Sequence, residues 1–376
     1  MILKAYRKNI EILSSFYENP FPAELANQLQ LQYALVSASL SNFLPALPVE
    51  KHSFVYRQIL LHQKLSLLDE SNYAGMDQLE VQYQEDYHIS QFRSQPAIFC
   101  TAHNGSYRLI NFYLKKLQIP YALVANKNII LTEKERFQEN YDHFYVKDCF
   151  PLEIIDAEEP TSLMRMLRAI KNGKSLLIYV DGNTGSGNQQ ENQHSVPVAF
   201  LAQQLLVRSG PSYLSIKTNT PIIPVISFKP SLYKNILLFF PIIYPSTQSV
   251  VDRVQICNIT QRIYDHLASI ILINPTQWEA WLYLHKVAKV DTSKNILLSE
   301  NLSGTNDVIF NSREFGIFKT GTRCFLLQKN TYSSFPIDDS LYDFLSFRLP
   351  SELKDISIAE GLLDQLCSER IVLKPK

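Results

Sequence analysis

The sequence predicts an α/β fold: a mostly parallel sheet flanked by helices, with a helical segment before it and a small α+β, winged-helix-like module after it. Three observations predict this. From residue 95, short apolar runs alternate with stretches of helical periodicity, the pattern of buried parallel strands joined by crossover helices. The run Pro96-Ala97-Ile98-Phe99-Cys100 leads to His103 and Gly105 and then into the amphipathic stretch Tyr107–Leu117. That order sets an imidazole at the carboxyl end of a strand, where α/β proteins commonly keep their chemistry. The texture changes again after residue 306, where short strand-like runs precede two helical stretches.

Residues 1–90 are expected to form a helical N-terminal cap. Leu29–Leu40 and Tyr56–Leu68 carry apolar residues at three and four spacings, punctuated by Pro20, Pro22, Pro45 and Pro48. Residues 91–290 form the expected α/β domain. Its strands are Ala97–Thr101, Tyr121–Ala125, Leu152–Ile155, Ser175–Val180, Pro221–Phe228 and Ile236–Phe240, and its crossover helices are Tyr107–Leu117, Glu133–Phe144 and Thr161–Lys171. Val251–Leu272 reads as a long helix, and Pro275–Val287, opened by a proline in its first turn, as another. Residues 291–306 are polar and read as a linker. Residues 307–376 are expected to form the small module. Its strands fall at Val308–Phe310, Phe315–Phe318, Cys324–Leu327 and Ile371–Leu373, and its helices at Asp338–Leu345 and Ile358–Glu369.

Composition excludes several classes. The 376 residues suffice for a large core, and 36 basic residues balance 36 acidic ones, which argues against nucleic acid as a partner. Five cysteines, odd in number and without CxxC spacing, fit reduced thiols better than disulfides or a zinc site. No metal and no cofactor is expected. The charged N-terminal stretch lacks a signal-peptide core. The longest apolar run, Ile236–Tyr244, contains Pro241 and reaches about half a bilayer span. A cytoplasmic protein is expected, without a transmembrane helix, at most peripheral to the inner face of the membrane.

Three segments converge on one end of such a sheet: His103-Asn104-Gly105-Ser106-Tyr107-Arg108, Asp181-Gly182-Asn183-Thr184 after a buried strand, and Arg208-Ser209-Gly210-Pro211. With them, residues 95–287 resemble the lysophospholipid acyltransferase superfamily, in the branch of the late lipid A acyltransferases. That branch follows its histidine with a small or aromatic residue, Gly, Asn, an aromatic residue and Glu. Its acid before a glycine turn matches Asp181 and Gly182. Its positive residue and glycine, followed by Pro-x-x-Pro, match Arg208, Gly210, Pro221 and Pro224. Its closing helix is echoed by Pro275, Gln277, Trp278, Trp281, His285 and Lys286.

The resemblance implies a glycerolipid acyltransferase-like fold and transfer of a fatty acyl chain from acyl-CoA or acyl carrier protein to a hydroxyl or amine. His103 would be the general base, with Asp181 and Arg108 beside it. Asn104, Gly105, Ser106, Tyr107, Gly182, Asn183, Thr184, Arg208 and Gly210 would bind substrate. Backbone N–H groups near Gly105 or Gly182 would receive the oxyanion.

Arg108 stands where the branch carries its acid. Asp181 is therefore expected to orient the histidine, with Arg108 pairing to Asp181 or to a donor phosphate. Thr184 stands where the phosphate-binding branch has arginine, which argues against a glycerol-phosphate acceptor. Residues 307–373 resemble the winged-helix modules that bind leader peptides, which implies a peptide among the candidate acceptors, beside a lipid or a small molecule. A second reading is a catalytically degenerate lipid- or peptide-binding protein using the same cleft. Trp278 and Trp281 read most simply as core residues of an amphipathic helix.

Overall fold

The computed structural model describes residues 2–143, 150–182, 194–246, 252–295, 309–346 and 360–373. The chain begins with α1 (Ile2–Glu18), α2 (Ala23–Gln28), α3 (Gln30–Phe43), α4 (His52–Glu70) and α5 (Tyr73–Asp77). The central part runs β1 (Leu79–Tyr83), β2 (Ile98–Thr101), α6 (Leu109–Lys116), β3 (Tyr121–Ala125), α7 (Lys127–His143), β4 (Glu153–Asp156), α8 (Ser162–Lys171) and β5 (Ser175–Tyr179). Then come β6 (Ser195–Phe200), β7 (Gln203–Arg208), α9 (Gly210–Thr218), β8 (Ile222–Ser231), β9 (Lys234–Phe239), α10 (Arg253–Ile273) and β10 (Ala288–Lys289). The last stretch holds β11 (Ile309–Phe310), β12 (Phe315–Thr320), β13 (Arg323–Gln328), β14 (Ser333–Ile337), α11 (Asp339–Ser346), α12 (Glu360–Ser368) and β15 (Val372–Leu373).

The chain divides into two compact units. One comprises Met1–Asn19, Arg57–Phe200 and Leu205–Ala280, the other Pro20–Tyr56, Leu201–Gln204 and Trp281–Lys376.

The first unit is built on a seven-stranded sheet in the order β1-β9-β8-β2-β5-β3-β4. Strands β8, β2, β5, β3 and β4 are mutually parallel. β9 runs antiparallel to β8, and β1 runs parallel to β9. The central strands are apolar on both faces because helices cover both. On one face Phe99 and Leu177 pack against Leu109, Ile110 and Phe112 of α6 and Phe137 and Tyr141 of α7. On the other, Ile98, Cys100 and Leu176 pack against Ile170 of α8, Leu214 of α9 and Ile259 and Ile263 of α10. Residues adjacent along β2 thus serve opposite cores, as the period-two pleat requires.

In the second unit, β12, β13 and β14 form an antiparallel meander and β11 pairs with β15. Phe315, Leu326, Leu345, Leu366 and Val372 make its core. Ala34 and Ala38 of α3 pack on Phe318 and Leu327.

The α/β architecture is the one expected, and several elements differ in detail. β1 lies inside the stretch expected to be helical. Its apolar residues Leu79, Val81 and Tyr83 alternate with Glu80 and Gln82, the signature of a half-covered edge strand. α7 starts at Lys127, well before Glu133, where the Asn126 side chain accepts from the Ile129 N–H at 2.8 Å. Strands β6 and β7 carried no expectation.

The helix expected at Pro275–Val287 is instead three 3₁₀ turns, with Trp278 extended between the first two. The reason lies in its backbone partners. Gln277 C=O accepts from Gly105 N–H at 3.2 Å, and Glu279 N–H donates to His103 C=O at 2.8 Å. A continuous helix would have used those groups internally. The expected linker residues 296–306 and the start of the helix at Ile358 lie outside the described residues.

The turn after β2 fits so tightly that only glycine serves at residue 105. Its φ is +56°, and a Cβ there would stand 2.8 Å from Phe228 Cα and 3.1 Å from Ser227 O. Gly105→Ala is expected to cost on the order of 2–4 kcal/mol of stability. Urea denaturation checks this, and a loss under about 0.5 kcal/mol would mean that β8 moves aside freely.

Candidate active site

Strand register brings the first two site residues together. β2 and β5 are parallel neighbours, with Thr101 opposite Tyr179. Two residues beyond each partner stand His103 and Asp181, so both leave the sheet at its carboxyl edge, side by side. His103 Nδ1 lies 2.8 Å from Asp181 Oδ1. The His103 backbone N–H donates to Asp181 Oδ2 at 2.9 Å, and the Trp278 indole N–H donates to the same oxygen at 2.7 Å. The carboxylate is thus held at both oxygens. Asp181 side-chain exposure is 2%, whereas that of His103 is 22%, so the acid is enclosed while its histidine still meets solvent. With Nδ1 engaged by the acid, Nε2 is the nitrogen left for an incoming substrate.

Burial pulls the His103 pKa down, but the Asp181 charge and hydrogen bond, with Glu279 behind them, outweigh it and raise the net value. Arg108 works against the rise. The imidazole packs edge-on to Tyr107 at 4.7 Å and lies 4.8 Å from the tilted ring of Tyr179. Gly182 adjoins it too: a Cβ there would sit 3.6 Å from His103 Cε1, at ordinary van der Waals contact.

Arg108 does not pair with Asp181. Its Nε lies 3.4 Å from Glu70 and its Nη2 3.3 Å from Glu133. The guanidinium also covers the Tyr107 ring at 4.6 Å. With its charge already matched by two carboxylates, Arg108 offers a donor phosphate little.

The side chains of Asn104 and Ser106, expected to touch substrate, turn inward and are fully buried. Asn104 Nδ2 donates to Ser227 O at 2.7 Å, and Ser106 Oγ donates to Asp69. They brace the turn. Gly105 gives its N–H to Gln277, so that donor is not free for an oxyanion. Tyr107 stays at the imidazole, where its hydroxyl meets Glu279 at 3.3 Å. Arg208 ends β7 and Gly210 opens α9. Neither shares a hydrogen bond or ion pair with the His103 cluster among the described residues. Asn183 and Thr184 lie outside the described residues.

Beneath the turn runs a polar network. Asp69 accepts from Tyr6, Ser106 and, at 2.8 Å, the fully enclosed Lys229 ammonium. Lys229 also donates to Asn235 at 2.7 Å. The Gln277 amide bonds both backbone groups of Lys229, at 2.8 and 2.7 Å, which ties the segment after α10 to β8. Sequence reasoning missed Asp69, Glu70, Lys229 and Glu279, and placed Trp278 in the core alone. One signal was present: the adjacent acids Asp69-Glu70 close a helix whose other formal charges, Arg57 and Lys64, are both basic, and they directly follow the apolar pair Leu67-Leu68. Among the described residues, no cluster of three or more His, Cys, Asp or Glu is placed to hold a metal.

The sheet and its flanking helices make an α/β layer with the His103–Asp181 pair at its carboxyl edge. The family model for the bacterial lipid A biosynthesis acyltransferases matches residues 64–289, and the chain belongs to that family and is an acyltransferase. Among solved structures, the chain is similar to the 1-acyl-sn-glycerophosphate (LPA) acyltransferase PlsC from Thermotoga maritima. Identity is 13% and the TM-score 0.30, over 66% of this chain and 97% of that one. No curated protein matches it. No helix among the described residues is long and apolar enough to cross a membrane.

The raised His103 pKa has a pH consequence. The folded value lies above the ordinary value near 6.5, so the stability from the His103–Asp181 pair is full below about pH 6.5 and fades as pH climbs through the folded value. In Asp181→Asn the charge and hydrogen bond that raise the value are lost, burial then outweighs what Glu279 still contributes, and the His103 pKa should drop below about 6.5. Turnover should fall on the order of 10²–10⁴-fold, much more than stability does. NMR titration of the imidazole with steady-state assays checks both. An unmoved titration curve would show that Asp181 does not set the basicity.

Proposed function

We propose that the protein moves a fatty acyl chain from an acyl thioester, acyl-CoA or acyl carrier protein, to a hydroxyl or amine, with His103 as general base and Asp181 as its orienting carboxylate. The observation that carries this is the 2.8 Å contact between His103 Nδ1 and the enclosed Asp181, with the ring still partly open. Nε2 takes the proton of the acceptor as its oxygen or nitrogen attacks the thioester carbonyl. The tetrahedral intermediate then collapses, the C–S bond breaks, and the imidazolium returns the proton to the departing thiolate. Asp181 stabilises the imidazolium between these steps. No covalent acyl-enzyme and no cofactor is needed.

The family match favours a lipid acceptor and a protein working at the inner face of the membrane, where cytoplasmic donors are at hand. One observation favours a peptide acceptor instead. β14 is an outer strand of the second unit's meander, where an extended peptide can add as a further strand. The degenerate-binding reading loses its motive, because a carboxylate does reach Nδ1 despite Arg108.

Purified protein incubated with acyl-CoA or acyl carrier protein and lipid, amine and peptide acceptors should show transfer. His103→Ala should lower kcat by at least about 10²-fold with the fold intact. Full turnover in that variant would remove His103 from the chemistry.

A further inference from the structure

We propose that Glu70 is a positioning residue for the acyl-transfer base: through Arg108 it holds Tyr107 against His103 and neutralises the cation nearest the imidazole. This rests on His103 being the base.

The geometry is a relay from the end of α4 to the ring. Glu70 is 1% exposed and meets Arg108 Nε at 3.4 Å and Arg136 Nη2 at 3.5 Å. Arg108 contacts the Tyr107 hydroxyl and lies over the Tyr107 ring. Tyr107 in turn meets the imidazole at 4.7 Å with the planes at 69°. The neighbouring carboxylate, Asp69, accepts from Ser106. Two consecutive acids therefore grip two alternate residues of the segment that follows the histidine.

Glu70 is an expensive staple. Burial pushes its carboxyl pKa up, and the two arginines only partly offset this. A carboxyl whose folded pKa lies above its unfolded value loses stability as pH rises through the folded value, so an ionised Glu70 works against the fold at neutral pH. Its contacts with the arginines are also too long for strong hydrogen bonds. Buried ion pairs of this kind are often replaceable by apolar residues without loss of stability. What the carboxylate does supply is a negative charge one residue away from the imidazole's own neighbours.

The groups that face His103 are Asp181 and Tyr179 from β5 and the turn after it, Glu279 from the segment after α10, and Tyr107 and Arg108 at the start of α6. Arg108 is the cation of this set and lowers the His103 pKa. Glu70, Glu133 and Arg136 stand one step behind it. Unbalancing the pair should move His103 in opposite directions.

The test is NMR titration of the His103 imidazole, with its resonance assigned by His103→Gln, beside the acid limb of kcat/KM and the Tm. Glu70→Gln should lower the His103 pKa by about 0.5–1 unit and Arg108→Gln should raise it by a similar amount. The double variant should fall between them. Glu133→Gln alters the more exposed carboxylate partner of Arg108, 30% exposed against 1% for Glu70, so it disturbs the fold less and should shift the titration down by a smaller amount. If all these variants titrate within about 0.1 unit of the parent protein and only Tm changes, the role is structural and the proposal is overturned. The titration does not depend on turnover. Shifts as expected beside a fully active His103→Ala would overturn the catalytic reading alone, whereas an inactive His103→Ala with immobile titrations would overturn the Glu70 role alone.

Discussion

The carboxylate of Asp181 is the point on which the site depends. It accepts from the backbone and ring of His103 and from the Trp278 indole, and so joins the ends of two neighbouring strands to the segment that follows α10. A charge in so enclosed a place would be costly with fewer donors. With three, it fixes the tilt of the imidazole and raises its basicity at once. The rest of the local structure keeps those three donors in place. Gly105 lets the turn pass close to β8, Gln277 fastens the later segment to Lys229, and Asp69 anchors Ser106 from below.

Much of this was legible in the chain. The alternation from residue 95 gives the sheet because strands covered on both faces must be apolar throughout, as β2 and β5 are. His103 and Asp181 were visible because each directly follows such a strand. What stayed hidden were contacts over long separations. Trp278 looked like a core residue because an indole is bulky and apolar, and nothing local shows that its N–H reaches an acid 97 positions away. Asn104 and Ser106 sit beside His103 in sequence, yet the turn directs them into the interior. The stretch Pro275–Val287 carries a helical pattern that its backbone bonds to the histidine turn override.

The two acidic neighbourhoods of the imidazole differ in kind. Asp181 touches the ring and accepts from three donor groups. Glu70 and Glu133 reach it only through Arg108 and Tyr107. A basic residue at position 108 is tolerated because carboxylates from α4 and α7 meet it before its charge can dominate. The cation closest to the site is thus screened from within the protein rather than by solvent, so its influence should depend only weakly on salt.

Because Asp181 is set beside His103 by strand pairing rather than by a short local motif, the length of β5 becomes part of the proposed chemistry. One residue inserted within β5 would leave the charge balance unchanged, yet turn every later side chain, the Asp181 carboxylate included, to the opposite side of the sheet. Loops elsewhere can lengthen at little penalty. In this stretch, an indel is a change to the proposed proton-transfer pair itself.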